Sequence, residues 1–510
     1  MTPLLLLALA TAAQADPGIE VGQGALGGQS AWSNTPATTQ APTRDPWWTS
    51  FADPTLDQLI RKALTHNPDL AARIALEEQS RMNAASAWSG VLPSVSFDSS
   101  VSGSPTDALG FAFGGFGGPP NTVDVLVGMD TLQDINGDGI PDVAFGPVYE
   151  TFELDVDEPA DLTWNGSAQL NARWNLDIFG NQVATITASR HATRAAEGDT
   201  AATALTVATT VAGAWYDLVL TSAQHALVQE QVEANEQMLE IIQLRYEAGS
   251  ASGLDVLQQR QQLAATQALL PAASHGIRRT TYRLAILLGE QPAALADRLT
   301  AGDTLPTLPP PPDPGTPADL LRARPDVAAA LSRVDAAIFT TKGTRRDALP
   351  TLGVSANAGW QYFSQGEWDS TDIWGMGASA SIPLFNGGRV YTQTKAAQAA
   401  ERAAVETARR TVLTAVMEVE DALLFEQQAQ SERVAAQART TAAQQAYEDA
   451  RDRYVRGLLD LTTVLNTQTA WQTAALADLQ SQRTVLTARI QLHDALGGVW
   501  AGTLTATETP

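Results

Sequence analysis

The sequence predicts a membrane protein of the α+β class, in which a repeated unit of long helices also contributes strands to a β-barrel. Two observations favour this fold. Two Arg-Tyr-x-x-Gly junctions, at 245–249 and 453–457, each close a long Ala-rich helical stretch and are each followed at the same distance by Val-Leu. Four stretches with alternating polar and apolar residues, two in each half, have about the ten-residue length of a membrane-spanning strand.

The duplication extends beyond the junctions. Asn67-Pro68-Asp69 corresponds to Arg324-Pro325-Asp326, and Leu92-Pro93 corresponds to Leu349-Pro350 at the same spacing. We therefore predict two copies of one structural unit. The predicted organisation is repeat 1 over 47–300, a stiff Pro-rich linker over 301–317, repeat 2 over 318–500, a C-terminal tail over 501–510, and an insertion in repeat 1 over 104–157.

The start of the chain carries an export signature. Residues 1–15 form an apolar run that ends in Ala13-Gln14-Ala15, which predicts a signal peptide; the alternative is a buried N-terminal strand. Residues 16–46 are rich in Gly, Pro, Thr and Ser, so we predict an extended tether. Beyond the signal, no run of 18 apolar residues predicts a membrane-spanning helix.

Composition excludes several classes of protein. The 510 residues include no Cys, which removes disulfides, thiolate metal sites and an N-terminal lipid. The net charge of −24 disfavours nucleic acid or an anionic membrane surface as a partner. The chain has no phosphate loop, nucleophile elbow or His pair at metal spacing, so we do not expect an enzyme.

The four predicted strands lie at 93–103, 162–176, 352–363 and 373–385. Each has a small or apolar face and a polar face, with Trp near the strand ends, as expected for lipid outside and water inside. A soluble β-sandwich would also alternate. Four strands cannot close a barrel, and open sheet edges are not tolerated in lipid. The barrel must therefore be shared between chains.

The predicted helices have matching lengths. Long helices at 181–247 and 387–456 are uninterrupted by Pro, and the shorter ones pair to a similar total length, giving columns of roughly 100 Å. An ordinary coiled coil is the alternative, which strands at the helix ends disfavour. The shorter helices are predicted at 53–90, with Asp53-Pro54 at its start, and at 253–288, 318–348 and 458–496.

Several motifs together resemble the TolC-like outer-membrane efflux proteins, most closely the OprM/NodT-like branch that serves resistance-nodulation-division pumps. The resemblance covers about 47–500 apart from the insertion. It is carried by Trp47-Trp48, Phe51, Asp53-Pro54, Leu56-Asp57, Leu59-Ile60, Ala63-Leu64, Asn67, Asp319-Leu320-Leu321, Arg324-Pro325-Asp326, Ile382-Pro383-Leu384-Phe385-Asn386-Gly387-Gly388-Arg389 and both Arg-Tyr-x-x-Gly junctions.

The resemblance implies a homotrimer with a 12-stranded barrel in the Gram-negative outer membrane, surrounded by its lipid. An α-helical tunnel would cross the periplasm from that barrel. Its tips would meet a periplasmic adaptor (membrane fusion) protein linked to an inner-membrane resistance-nodulation-division pump. The implied activity is export of drugs, other toxic small compounds or metal ions, with no cofactor. Many relatives are lipoproteins, but this chain has no Cys to carry the lipid.

The resemblance also places the periplasmic gate and adaptor contact at the two junctions. Charged pairs there would hold the tips together, with Asp255 and Asp460 as candidate acids and Arg453 and Arg456 as their partners. Simple packing of the tips is the alternative. The candidate residues are Arg245, Tyr246, Gly249, Asp255, Arg453, Tyr454, Arg456, Gly457 and Asp460.

The insertion contains a candidate calcium loop. Side-chain oxygens at four positions and the carbonyl of Ile140 could surround a hard cation, with Gly139 making the sharp turn. The pattern resembles the calcium loops of integrin-type propeller repeats and is not an EF-hand, because position twelve is Phe145. An acidic surface turn is the alternative. The side-chain ligands would be Asp134, Asn136, Asp138 and Asp142.

Three functions are compatible with this reading. The first is the exit duct of a tripartite efflux pump. The second is the outer-membrane duct of a type I protein secretion system, and the third is a structural coiled-coil envelope protein without a conduit. The sequence does not indicate the exported compound, because a tunnel wall is generic.

Overall fold

The structure is a computed structural model that describes residues 17–29, 31–33, 46–105, 123–125, 132–133, 142–143, 162–302, 304–306, 308–364 and 368–497. The chain forms two compact units. A helical unit comprises Met1–Ala84, Thr187–Thr341 and Lys395–Pro510, and a sheet unit comprises Ala85–Ile186 and Lys342–Thr394. Each unit takes segments from both sequence repeats, so the repeats are units of duplication and not separate compact bodies.

Eleven α-helices and seven strands lie in the described residues. The helices are α1 (Pro17–Leu26), α2 (Pro54–His66), α3 (Pro68–Ser89), α4 (Asn181–Glu247), α5 (Gly253–Gln267), α6 (Leu270–Leu287), α7 (Pro292–Ala296), α8 (Leu320–Ala323), α9 (Pro325–Arg346), α10 (Arg389–Val455) and α11 (Leu461–Leu496). The strands are β1 (Ser94–Pro105), β2 (Val123–Val125), β3 (Leu132–Gln133), β4 (Asp142–Val143), β5 (Leu162–Leu176), β6 (Thr351–Ser364) and β7 (Trp368–Ser381).

The two longest helices, α4 and α10, each contain 67 residues. Helix α4 has the predicted bounds, and α10 differs from prediction by two residues at its start and one at its end. One 18-residue window of α4 reaches a mean hydropathy of 1.2, which is enough by length and composition to cross a membrane. The window contains polar residues, so it is not the uninterrupted apolar run whose absence was noted from the sequence. However, 72% of the window is buried inside the protein, as in a core helix.

The shorter helices are interrupted at equivalent places in the two repeats. Asn67 and Arg324 each precede a proline and adopt extended backbone angles, which end α2 and α8. The Asn67 side chain then caps α3 by accepting hydrogen bonds from Asp69 N at 2.9 Å and Leu70 N at 3.0 Å. The predicted single helices 53–90 and 318–348 are therefore each two helices. The predicted helix 253–288 is also divided, into α5 and α6, but the intervening Ala268 and Leu269 keep helical backbone angles.

The N-terminal segment is partly helical, contrary to the prediction of an extended tether over 16–46. Helix α1 packs through glycine: an added Cβ on Gly18 would lie 2.6 Å from the Leu331 carbonyl oxygen. The Gly18 amide donates to the Asp335 carboxylate at 2.9 Å. Farther on, the Trp32 indole donates to the Gly315 carbonyl at 2.9 Å. Close glycine contacts and these hydrogen bonds hold the segment against the chain.

Aromatic residues and buried charges hold the centre of the helical unit. Trp47, Trp48 and Phe51 are buried in the main core. Asp53 caps α2, as predicted, and its second carboxylate oxygen accepts from the Trp215 indole at 2.7 Å. Arg489 is fully buried, pairs with Glu426 and donates to the Pro309 carbonyl of the linker.

The sheet unit is an antiparallel sheet with strand order β2-β1-β5-β6-β7. Strand β5 has the predicted bounds, and β1 and β6 differ from prediction by one or two residues. Strand four was predicted at 373–385, but β7 spans Trp368–Ser381. Pro383 lacks an amide hydrogen for the ladder, which explains the earlier end. Leu384 and Phe385, predicted in the strand, are each 91% exposed beyond it.

Candidate functional site

The strand registers align the apolar faces of four strands into one continuous surface. Phe97 lies opposite Leu170, Leu170 opposite Ala358, and Ala358 opposite Trp374. The neighbouring row is Val95, Ala172, Ala356 and Met376. These side chains are open to the surroundings: Leu170 is 54% exposed, Trp374 80% and Met376 81%. A dry sandwich would bury this face, so its exposure favours lipid contact.

The opposite face of the same sheet is polar. One row across it is Ser96, Asn171, Asn357 and Gly375, and another is Ser94, Arg173, Ser355 and Gly377. The Asn171 amide donates to Asp98 at 2.6 Å, and the Ser100 and Ser167 hydroxyls are 3.0 Å apart. Small and hydrogen-bonding side chains suit a face that is in water. One sheet thus separates an apolar medium from an aqueous one.

The sheet has incomplete edges. On one side, β1 is paired beyond β5 only at Val101–Gly103, where three residues of β2 lie against it. On the other side, β7 pairs with β6 and with no second strand among the described residues. Unpaired backbone groups at a sheet edge cannot remain open in lipid. The edges therefore require another copy of the sheet.

The first junction is a helix-ending turn between α4 and α5. Gly249 has φ of 71°, and the Ser250 amide donates to the Arg245 carbonyl at 2.7 Å, which closes the end of α4. Helix α5 then begins with a capping box, in which Asp255 accepts from the Ser252 amide at 2.9 Å. Asp255 is thus engaged by its own helix start. The Tyr246 side chain is 53% exposed.

The second junction has the same geometry between α10 and α11. Gly457 has φ of 74°, and the Leu458 amide donates to the Arg453 carbonyl at 2.9 Å. Asp460 caps α11 by accepting from the Thr463 amide at 2.8 Å and the Thr463 hydroxyl at 2.9 Å. These hydrogen bonds lower the pKa of the Asp460 carboxyl below its ordinary value. The repeated turn explains why Gly recurs at 249 and 457.

Arg245 connects the two junctions. Its guanidinium donates to the carbonyls of Tyr454 and, at 3.2 Å, Val455, the last residues of α10. It also lies 4.5 Å from the centroid of the Tyr454 ring. The Tyr454 side chain is buried in a tip cluster formed by Met238, Ile242, Tyr447, Ala450, Tyr454, Leu461 and Val464, and burial raises the pKa of its phenol. The cation therefore compensates the negative end of α10 and packs on an aromatic ring.

Within one protomer, the charged residues at the tips contact their own helices. Arg453 pairs with Asp449 at 2.9 Å. Within the described part of the chain, Arg456 has no carboxylate within ion-pair distance. Asp255 and Asp460 both cap helix starts, and their pairing with Arg453 and Arg456 between tips stays a prediction. The contact of Arg245 with the end of α10 depends on tertiary packing. The repeated Arg-Tyr pair was the only sequence feature that pointed to this residue.

The candidate calcium loop lies mostly outside the described residues. This applies to Asp134, Asn136, Asp138 and Ile140, and for Asp142 only its backbone position in β4 is described. The predicted signal peptide and C-terminal tail lie outside them as well.

Over most of its length the chain is similar to known outer-membrane proteins. The pyoverdine export outer membrane protein OpmQ of Pseudomonas aeruginosa is 26% identical over 454 residues, covering 89% of this chain and 87% of the relative. The probable efflux pump outer membrane protein TtgC of Pseudomonas putida is 25% identical over 482 residues, covering 92% and 88%. The solved outer-membrane channel OprN superposes with a TM-score of 0.73 at 23% identity, covering 93% of this chain and 98% of OprN.

These similarities confirm the predicted fold class and the resemblance stated from the sequence. A family model described as outer membrane efflux protein matches residues 141–290 and 316–498, which is more than half of the chain. The four long strands β1, β5, β6 and β7 and the two 67-residue helices α4 and α10 are elements that this fold requires. The chain is therefore a member of the outer membrane efflux protein family.

Proposed function

We propose that the chain forms the outer-membrane exit duct of a tripartite efflux pump. Three copies join their four-stranded sheets into one 12-stranded barrel, and the helices form the periplasmic part of the duct. The observation that carries this proposal is the sheet with an exposed apolar face, a polar opposite face and incomplete edges. The duct performs no catalysis and needs no cofactor for transport, because it only keeps the solute in water past lipid.

The surface of the helix tips indicates a protein partner. Exposed apolar side chains surround both junctions: Leu254 is 63% exposed, Leu257 62% and Leu458 71%. A cluster of exposed apolar groups on a protein in the periplasm suits a protein partner. The periplasmic adaptor protein is that partner, and it links the duct to an inner-membrane resistance-nodulation-division pump.

The relatives favour export of small compounds over protein secretion. OpmQ is named for pyoverdine export and TtgC for efflux, whereas a type I secretion duct would pass polypeptides. We therefore infer that this chain exports small molecules, such as drugs or other toxic compounds. Susceptibility of a deletion strain to drugs, solvents and metals tests this, and unchanged susceptibility with loss of a secreted protein would favour the alternative.

Channel activity separates the duct from a structural coiled-coil protein. The purified protein in a planar bilayer is expected to give discrete single-channel currents, small in the closed state. A correctly inserted protein with no conductance under any condition would leave only the structural role.

The gate is proposed at the tips, with Asp460 acting as a helix cap. Asp460→Ala removes the acceptor for Thr463, so the start of α11 frays and closed-state leak conductance rises. Asp460→Asn keeps a capping oxygen, and its leak is expected to remain close to the wild type. Because the folded pKa is lowered, the cap is intact above the ordinary carboxyl value of about 4 and is lost as pH falls through the folded pKa.

If the leak conductance rises equally in Asp460→Ala and Asp460→Asn, the negative charge of Asp460 matters, as in an ionic gate. An unchanged leak in Asp460→Ala would remove the residue from the gate.

A calcium ion is proposed in the insertion. Gln133 of β3 lies opposite Asp142 of β4, so the described residues on either side of 134–141 are close together. Calorimetry on the purified protein is expected to show calcium binding that Asp138→Ala abolishes, while Asp98→Ala in the sheet leaves it unchanged. Absence of heat in the wild type would end this proposal.

A further inference from the structure

The buried face of helix α4 is apolar at the tip cluster and becomes partly polar in the residues that precede that cluster in the helix. Among its buried positions, Val228, Gln231, Asn235, Met238 and Ile242 are separated alternately by three and four residues, which is the spacing of a coiled-coil seam, and Val232 is buried beside them. Two of these positions carry amides: Gln231 is 1% exposed and Asn235 is 0% exposed. An apolar seam is thus interrupted by two buried polar side chains.

Helices α5 and α11 bury further polar side chains, and the two helices are linked by the Gln262 amide of α5, which donates to the side-chain oxygen of Gln472 of α11 at 3.4 Å. The Gln259 amide donates to the Asn235 carbonyl and to its side-chain oxygen, each at 3.0 Å. The Asn235 amide donates to the Thr266 hydroxyl at 3.2 Å. On α11, Gln468 is 0% exposed and Gln472 is 8% exposed. The amide layer is defined as Gln231, Asn235, Gln259, Thr266, Gln468 and Gln472.

Many polar atoms of the amide layer have no protein partner. They are Nε2 of Gln231, Oε1 of Gln259, both side-chain amide atoms of Gln468, and Nε2 of Gln472. These five are among the thirteen buried, unpartnered side-chain atoms found in the described residues, so they are concentrated in one layer. Each dry, unpartnered group would cost about 1–3 kcal/mol, whereas a buried water with several polar neighbours removes most of that cost.

The amide layer lies between two regions of apolar packing. On one side is the tip cluster, with Met238 and Ile242 of α4 and Val464 of α11. On the other side α4 continues into the main core with Val219 and α11 with Leu486. Close apolar packing resists sliding, whereas amides and water can exchange hydrogen-bond partners at little net cost.

We propose that the amide layer holds ordered water and is the hinge at which the helix tips move when the duct opens. The inference rests on the proposed duct function. A buried polar layer can also serve only to fix helix register in a coiled coil. The two roles differ in local dynamics, because a register device is rigid and a hinge opens more readily than its flanks.

Hydrogen exchange of the full-length protein in lipid nanodiscs tests the hinge. Backbone amides near 229–237, 257–268 and 466–474 are expected to exchange about ten-fold faster than those at 238–245 and 447–454 nearer the tip, and than those at 204–220 in the core. Exchange that simply increases toward the tip would overturn the proposal, whether or not any variant folds.

Two matched variants provide a second test of the hinge. Gln468→Leu is expected to abolish the fast-exchanging layer and to make channel openings rarer without changing closed-state leak. Gln445→Leu, at an exposed amide of α10, is expected to change neither. A fast layer that persists in Gln468→Leu would contradict the hinge. The exchange profile is measured without conductance, so failure of the duct and failure of the hinge are distinguishable.

Discussion

Leu170→Arg is expected to prevent stable assembly in the outer membrane. Leu170 lies near the middle of β5, on the apolar face, and is 54% exposed in the protomer. If this face contacts lipid, a cation near the bilayer midplane costs about 2–4 kcal/mol per chain, and the cost falls on all three copies. The measurement is the amount of assembled trimer in the outer-membrane fraction, together with urea unfolding of the protein in vesicles.

Gln169→Arg is the matched control. Gln169 is adjacent in the same strand, but its side chain is on the polar face, opposite Asp98 and Gly359. A cation there faces water, so assembly is expected to remain near the wild-type amount. If both variants assemble equally well, the assignment of the two faces is wrong.

Arg245→Ala is expected to increase closed-state leak conductance strongly while the trimer still assembles. The substitution removes the charged hydrogen bonds to the Tyr454 and Val455 carbonyls and the contact with the Tyr454 ring. A hydrogen bond to a charged group contributes about 1.5–3 kcal/mol, which corresponds to about a ten-fold or larger shift between closed and open tips. Single-channel recording in a planar bilayer measures the shift.

Two other substitutions show whether the geometry or the charge of Arg245 matters. Arg453→Ala removes the equivalent residue of the second junction, which pairs with Asp449 on the same helix, so its leak is expected to change little. Arg245→Lys keeps the charge but loses the planar guanidinium, and an intermediate leak is expected. A large leak in Arg453→Ala with none in Arg245→Ala would place the closing contact elsewhere.

The sheet could be predicted because the alternation of polar and apolar residues along each strand shows which side chains share a face. Alternation in β5 and β6 fixes which residues share a side, and the observed registers bring the apolar rows together across all four strands. Helix α4 was predictable for a similar reason: no proline interrupts it, and Gly249 ends it. The breaks at Asn67 and Arg324 were available in the sequence too, since each precedes a proline.

Features that depend on contacts between distant segments could not be predicted in the same way. Helix α1 lies in a Gly-rich stretch, and only its contact with Leu331 shows why Gly18 is suitable there. Asp255 and Asp460 were predicted as partners for arginine, and their capping of the α5 and α11 helix starts is seen only in the structure. The amide layer was missed because glutamines on long helices are usually solvent-exposed, and their burial emerges only from the packing of three helices.

Disulfide cross-linking between the edge strands tests most directly whether neighbouring chains share one barrel. Because the chain has no Cys, cysteines introduced at Ser96 of β1 and, in a panel, at Gly377, Ser379 or Ser381 of β7 are the only thiols present. Within one sheet β1 and β7 are three strand spacings apart, roughly 14 Å, which is too far for a disulfide.

We expect at least one pair in the panel to yield covalent dimers and trimers from outer membranes under oxidation, and single-cysteine controls to yield no covalent trimer. Membrane-inserted protein that stays monomeric with every pair would contradict a barrel closed between copies.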